Sequence, residues 1–555
     1  MRQSQPTLLA ILGVALFITL VDNQAFFASA LAATQGNEHR TGILFSMFAL
    51  VAGPLTLILA LAPGRRAFKA LAGILLLAAA GAGYFMSKYG VLIDSSMIRN
   101  LAETDVREAS PLVTPALFLH IGIYGLAPAI LVFLLPLGRI GWKREFALRV
   151  STAFASIVVV TLTVYANFAA LASFGAENHG LRMQMNPLYP LYAVYSYATR
   201  AHDKPPLVRE PIDASRRTAP APGEKPLLLV FVMGETARAD RFSLNGYTRD
   251  TNRYTREHDV VNFPDVRSCG TSTADSVPCL FSGLGHAAFS HAAAARQETL
   301  PQLLARLGVA VAWRDNSTGC KHLCLPATYE ALAGANDPAL CHDNVCVDEI
   351  LLKDFTRLLA DGPRDRFIVL HQRGSHGPAY YTDTPLWSKG WLPECQAADL
   401  PDCTSAEINN AYDNTILYTD YFLARVIEKL DEQSAQYRTA MIYVSDHGES
   451  LGENGLFLHG LPYSIAPDEQ TRVPMLFWAS RDFYVGEHVD RSCLQHDARQ
   501  PTSHDAIFHS VLPLFDVTSP VYDQSLDVLA GCRGTAERKP PLLSRHTPGS
   551  RRTSP

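Results

Sequence analysis
The chain has 555 residues, 48 basic and 53 acidic side chains, and a formal net charge of −5. This length exceeds one ordinary domain, and the mild charge balance excludes nucleic acid as an expected partner. The mean hydropathy of +0.05 is high for a soluble protein, because the first third is far more apolar than the rest.

Five apolar stretches open the chain: Leu8–Val21, Gly42–Leu61, Ala70–Met86, Val113–Leu134 and Ala153–Phe174. Spanning a bilayer takes about 20 mostly apolar residues. The second, fourth and fifth qualify, and the first and third are slightly short. Arg65, Arg66 and Lys69 lie between the second and third, and Arg139, Lys143, Arg144 and Arg149 between the fourth and fifth. Positive charge marks the cytoplasmic side. Five spans are therefore expected, with the N-terminus inside and everything after the fifth span outside. A signal-peptidase-like stretch at Ala28–Ala33 offers an alternative in which the first segment is cleaved; the side on which the remainder lies is the same.

None of the ten cysteines precedes Cys269. Eight form close pairs, Cys269/Cys279, Cys320/Cys324, Cys341/Cys346 and Cys395/Cys403, with Cys493 and Cys532 left over. Disulfides suit an exported domain; zinc-binding cysteines are the less favoured alternative because the pairs are scattered. Expected domains are 1–174 in the membrane, 175–225 as bridge and linker, 226–533 as the soluble domain, and 534–555 as a basic, proline-rich disordered tail. The tyrosine-rich Leu188–Tyr197 fits either the membrane surface or a buried connector helix.

From Leu227 the pattern changes. Leu227–Glu235, Val309–Asn316, Phe367–Gly377 and Ala440–Glu449 are short apolar runs followed at once by polar residues. Such runs suit a parallel sheet covered on both faces. Helical stretches, among them Asp348–Ala360 and Thr415–Gln433, lie between them, which is an α/β pattern. Ligands gather beyond the carboxyl ends of such strands. Glu235, Asp446 and His447 all fall there, and a Glu/Asp/His set is a good zinc ligand set with a fourth position open. A hydroxyl in that position would be acidified into a nucleophile. Thr273, between Cys269 and Cys279, is the candidate.

The segments Met233–Tyr247, Cys269–Cys279, Ser375–Pro378, Ala411–Asp420 and Ser445–Gly460 resemble the phosphoethanolamine transferases of Gram-negative bacteria, most of all the lipid A transferases associated with polymyxin resistance. The resemblance extends over nearly the whole chain. It implies a five-span helical membrane domain plus a periplasmic α/β domain of alkaline phosphatase/sulfatase-like fold, in the bacterial inner membrane. It implies zinc at Glu235, Asp446, His447 and Thr273, with Thr273 as nucleophile. By the same resemblance His376 and His459 lie near the phosphoryl group; in the mechanism expected here one of them protonates the leaving group, and a second zinc held by both during turnover is a further hypothesis. Asn100, Thr104, Glu108, Thr318 and Lys321 would bind substrate, Thr318 standing where the family has serine. The implied partners are phosphatidylethanolamine as donor and lipid A or lipopolysaccharide as acceptor, acting through a phosphoethanolamine–threonine intermediate; a monomer is expected.

Asp275, two residues after Thr273, departs from what a phosphoryl site should favour, since its charge should repel substrate. The rival readings are transfer to a core sugar, a phosphoglycerol transferase, a sulfatase and a degenerate phospholipid sensor. No Cys-x-Pro-x-Arg or Ser-x-Pro-x-Arg motif stands near Thr273, which argues against the sulfatase. The cysteine pairs argue against the phosphoglycerol enzyme, and the intact Glu235, Thr273, Asp446 and His447 against the sensor.

Overall fold
The computed structural model describes residues 5–103, 109–137, 141–202, 209–217, 223–321, 323–324, 327–342 and 345–534. Thr104 and Glu108, and the tail from 535 onward, lie outside the described residues.

The membrane domain is helical. Helices α1 (Gln5–Val21) and α2 (Gln24–Ala33) meet at a bend of 59°, and α3 (Arg40–Leu61) and α4 (Gly64–Tyr89) follow. A short amphipathic helix, α5 (Ser95–Glu103), precedes α6 (Pro115–Leu134) and α7 (Trp142–Ala166). Four of the described helices are long and apolar enough to cross a membrane, or five if the bent pair is one span. Two expectations shift. The third segment grows to 26 residues because Gly64–Lys69 joins its helix. The fifth starts earlier and ends at Ala166, and Phe168–Glu177 forms a separate helix, α8. Many apolar side chains point outward, Leu119, Leu131, Leu134, Phe154 and Leu162 among them, as a lipid-facing surface requires. The basic residues between spans cap helix ends: Lys69 Nζ donates to the carbonyls of Phe133 and Leu135 at 2.7 and 2.8 Å, and Arg149 Nη1 to Ala62 at 2.9 Å. Cations at helix C-termini satisfy orphan carbonyls and favour the dipole.

Helix α9 (Leu188–His202) leads toward the soluble domain. Its strands are β1 (Leu227–Gly234), β2 (Val261–Arg267), β3 (Ala310–Asp315), β4 (Thr328–Ala331), β5 (Arg366–His371), β6 (Arg438–Ser445), β7 (Arg472–Ala479) and β8 (Thr502–Ser503). They form one eight-stranded sheet in the order β8-β2-β7-β6-β1-β5-β3-β4. Central β1 is buried along its whole length. Leu227, Leu229, Phe231 and Met233 enter one core, and Leu228, Val230 and Val232 the other, which is the period-two alternation of a doubly covered strand. Helix α10 (Thr273–Leu280) and helix α12 (Asp505–Leu514) pack on the first face. The 27-residue helix α11 (Ser405–Asp431) covers the second and starts at a Thr404/Glu407 capping box, in which each residue satisfies the other's backbone N–H.

The sheet is mixed rather than purely parallel. Strand β7 runs antiparallel to both β2 and β6. Prolines 264 and 474 interrupt these two sequences, and both fall where the β2–β7 register shifts, between the Val473–Val266 and Met475–Phe263 pairs. A bulge accommodates residues that cannot donate to the ladder. The expected helix at Asp348–Ala360 is instead two 3₁₀ turns, Asp348–Leu352 and Phe355–Leu359. Asp354, at φ +52°, breaks the run between them. All ten cysteines are paired, the close pairs with each other and Cys493 with Cys532.

Candidate active site and metal centre
The strand ends bring together residues far apart in sequence. Glu235 follows β1, and Asp446 and His447 follow the adjacent, parallel β6, with Gly234 and Ser445 in register. All three are fully buried. His447 Nε2 lies 3.2 Å from Glu235 Oε1 and 3.4 Å from Asp446 Oδ2. Close packing makes this possible. Gly374, at φ +59°, passes Glu235 so tightly that a Cβ there would stand 2.6 Å from its carbonyl oxygen, a contact no other residue could make without displacement.

Each group is oriented for a cation. Asp446 Oδ1 accepts the N–H groups of Thr236 and His447 at 3.2 and 2.8 Å. Its other oxygen, Oδ2, is buried without a hydrogen-bond partner, a costly state for a carboxylate. His447 Nδ1 donates to the Gly448 carbonyl at 3.0 Å, which leaves Nε2 as the ligating nitrogen. Burial works to raise Glu235, but the imidazoles of His371 and His447, 3.8 and 3.2 Å away, hold it well below the usual carboxylate range. Burial and the neighbouring Glu235 push Asp446 up to about 6. Burial opposes a charge on His447, yet Asp446 and Glu235 push it up to about 10. Two carboxylates thus compete for one proton's worth of positive charge, a demand that a divalent ion meets in place of the imidazole proton. The ligand atoms of these residues lie within 4.8 Å of one another, so the donor set fits a metal ion.

Thr273 completes the arrangement. It is the first residue of α10, and its Oγ1 donates toward Glu235 Oε1 and Oε2, each 3.1 Å away, with His447 Nε2 at 3.4 Å. The Cys269–Cys279 bridge joins the loop before α10 to its last turn. Gly270 is required there, since a Cβ would meet Ser276 N at 2.8 Å. The Ser276 hydroxyl donates to the Asp446 carbonyl and so ties the helix that Thr273 begins to the Asp446–His447 loop.

The remaining expected residues divide. The His376 and His459 rings stand 5.2 Å apart, and His459 lies 4.4 Å from His447. His459 donates from Nδ1 to Glu449 at 2.7 Å, and burial lowers its pKa. Thr318 and Lys321 line a cavity of about 520 Å³ with Glu103, Ala274, His291 and Arg209. Lys321 Nζ donates to the Glu103 carbonyl at 3.1 Å. Asn100 approaches Gly460, the neighbour of His459, where a Cβ would lie 3.3 Å from its Nδ2.

Two groups were not legible beforehand. His371, behind Glu235, donates from Nδ1 to Asp315 at 2.7 Å, and burial notwithstanding, Asp315 and Glu235 push it up to about 10. His504 accepts from Cys269 N–H at 3.1 Å through Nδ1 and donates to the Ser445 carbonyl at 2.9 Å through Nε2, so one ring holds the loop before Thr273 and the loop that carries Asp446. Neither carries a motif; His371 had only its place at the end of an expected strand to mark it.

A buried carboxylate–imidazole set beyond the ends of this sheet, with a hydroxyl at a helix start facing it, defines the soluble part as a domain of the alkaline phosphatase and sulfatase superfamily. Residues 228–517 match the sulfatase family profile. Residues 51–202 match a second, described as phosphoethanolamine transferase EptA/EptB. Similar proteins include phosphoethanolamine transferase EptA of Salmonella typhimurium, 36% identical over 94% of this chain and 96% of that one. Phosphatidylethanolamine transferase Mcr-1 of Escherichia coli is 36% identical over 93% of this chain and 96% of its own. The integral membrane lipooligosaccharide phosphoethanolamine transferase A of Neisseria meningitidis superimposes with a TM-score of 0.90 at 33% identity, covering 94% of this chain and 98% of that one. The chain belongs to the phosphoethanolamine transferases and is an enzyme: an integral membrane protein with a soluble C-terminal domain.

Proposed function
We propose that the chain transfers phosphoethanolamine from phosphatidylethanolamine to a lipid A phosphate, with Thr273 as the nucleophile. The observation that carries this reading is the Thr273 hydroxyl, 3.1 Å from both Glu235 oxygens and 3.4 Å from His447 Nε2. Donor and acceptor draw support from two similar proteins, one named a phosphatidylethanolamine transferase and the other a lipooligosaccharide phosphoethanolamine transferase.

Zinc held by Glu235, Asp446 and His447 would acidify the Thr273 hydroxyl and offset charge on the phosphoryl oxygens. Thr273 Oγ1 attacks phosphorus as its proton passes to solvent, the diacylglycerol oxygen leaves with a proton from His376 or His459, and a phosphoethanolamine–threonine remains. Lys321 and Thr318, in the adjoining cavity, steady the headgroup together with Asn100, Thr104 and Glu108. A lipid A phosphate oxygen then displaces Thr273. Because α10 and the metal loop are joined through Ser276, the nucleophile is aligned before substrate arrives, which is worth several kcal/mol of a barrier. The chain acts as a monomer in the bacterial inner membrane, five spans within 1–174, the bridge at 175–225, and the catalytic residues 226–533 in the periplasm.

The test is a mass spectrum of lipopolysaccharide from cells expressing the chain or Thr273→Ala. A phosphoethanolamine adduct on lipid A that the variant lacks is the expected result. An adduct on a core sugar would move the acceptor, and an adduct that persists in Thr273→Ala would overturn the nucleophile.

A further inference from the structure
Asp275 is the residue that a phosphoryl site should not want, one turn into the nucleophile's helix. Its partners account for it. Arg99 Nη1 lies 3.2 Å from Asp275 Oδ1, and His291 Nε2 2.6 Å from the same oxygen. The three side chains are at most 28% exposed. The carboxylate charge is therefore largely cancelled where it would otherwise oppose a phosphate. Burial works to raise Asp275, but His291 and Arg99 keep it below the usual range.

The pair has a second property. Arg99 belongs to α5, in the segment that joins two membrane helices, whereas Asp275 belongs to α10, whose first residue is Thr273. The same short helix meets two other parts of the site: Met97 and Asn100 lie against Gly460, next to His459, and the Glu103 carbonyl receives Lys321. Helix α5 thus lies across the site and is gripped from the soluble side, and the ion pair joins it to the nucleophile's own helix.

We propose that Arg99, Asp275 and His291 form a positioning latch that sets α5, and with it a phospholipid headgroup arriving from the bilayer, in register with Thr273. The proposal rests on Thr273 being the nucleophile. The residues touch no reacting atom; they act through the relative placement of two helices. A displacement of about 1 Å at a reacting centre can cost ~100-fold in rate.

The experiment uses the full chain in phospholipid nanodiscs, with Arg99→Gln, Asp275→Asn, the two combined, and the charge reversal Arg99→Asp with Asp275→Arg. Two donors are compared, phosphatidylethanolamine in the disc and the water-soluble 4-nitrophenyl ester of phosphoethanolamine. Each single variant is expected to lose about tenfold in kcat/KM on the lipid donor and to stay within about twofold on the soluble one. The double variant should be no worse than Asp275→Asn alone, because that change already removes the contact Arg99 makes. The reversal should recover most of the loss, and hydrogen exchange across residues 95–103 should quicken in the singles and slow again in the reversal. Losses that multiply in the double variant, equal losses on both donors, or unchanged exchange in α5 would overturn the latch. A wild-type chain inactive on both donors would count against the transfer reading instead, and α5 exchange, which needs no turnover, would still decide the latch.

Discussion

The stability of the two loops that carry Thr273 and Asp446 should fall with acid through His504. Its ring is fully buried; Cys269 N–H and the Ser276 hydroxyl approach Nδ1 at 3.1 and 3.3 Å, and Nε2 donates to Ser445. Only the neutral ring can do this, since a protonated Nδ1 cannot accept. Burial pushes its pKa from the ordinary 6.5 down to about 3. The unfolded chain therefore binds the extra proton first. The stabilisation is complete above about pH 6.5 and is lost progressively as pH falls toward 3. At about 1.4 kcal/mol per unit, lowering the pH from 7 to 5 should cost about 2 kcal/mol from this group alone. His504→Gln keeps a donor and an acceptor but cannot titrate. Urea unfolding of the full chain, followed by tryptophan fluorescence in the presence of a chelator, should show the variant less stable at pH 7 by about 1–2 kcal/mol yet closing that gap by pH 5. Equal acid losses in the two proteins would refute the argument, because every other titrating group is common to both.

Asp446→Asn retains an oxygen for the Thr236 and His447 N–H groups but replaces Oδ2, which accepts no hydrogen bond, by an amide, so the fold should survive while metal affinity falls by at least ~100-fold; metal content after dialysis and the thermal shift on adding zinc measure this. Asp399, in the Cys395–Cys403 loop, receives Tyr89 and Tyr84 hydroxyls at 2.8 and 3.2 Å and pairs with Lys88 at 3.0 Å, all from the end of α4. Asp399→Ala should loosen the docking of the soluble domain by about 1–3 kcal/mol, read as faster hydrogen exchange near Lys88 with little change in the unfolding of the central sheet.

The meeting of the candidate site residues was legible in the sequence because they sit in short runs at strand ends. Leu227–Gly234 and Arg438–Ser445 are buried on both faces, so each carries an uninterrupted apolar run, Leu227–Met233 and Ala440–Val444, and the polar residues after each run lie at the edge of the sheet. Glu235, Asp446 and His447 were found by that logic, and Thr273 by its place in a cysteine-bounded loop. The membrane helices were legible for the same reason, since lipid demands unbroken apolar length. Strands β2 and β7 were not, because Pro264 and Pro474 break their pattern and only the bulge they share makes pairing tolerable. The helix expected at Asp348–Ala360 failed because its helical spacing of apolar residues does not reveal the left-handed backbone at Asp354. What the tertiary structure alone decided is which distant side chains meet. Asp275 looked wrong by sequence, and its sense depends on Arg99, which lies 176 positions away. His504 carries no motif, yet it joins two loops through one buried ring. Periodicity reports which face of an element is buried; it holds no information about the partner across the interface, and hydrogen bonds and ion pairs are made there.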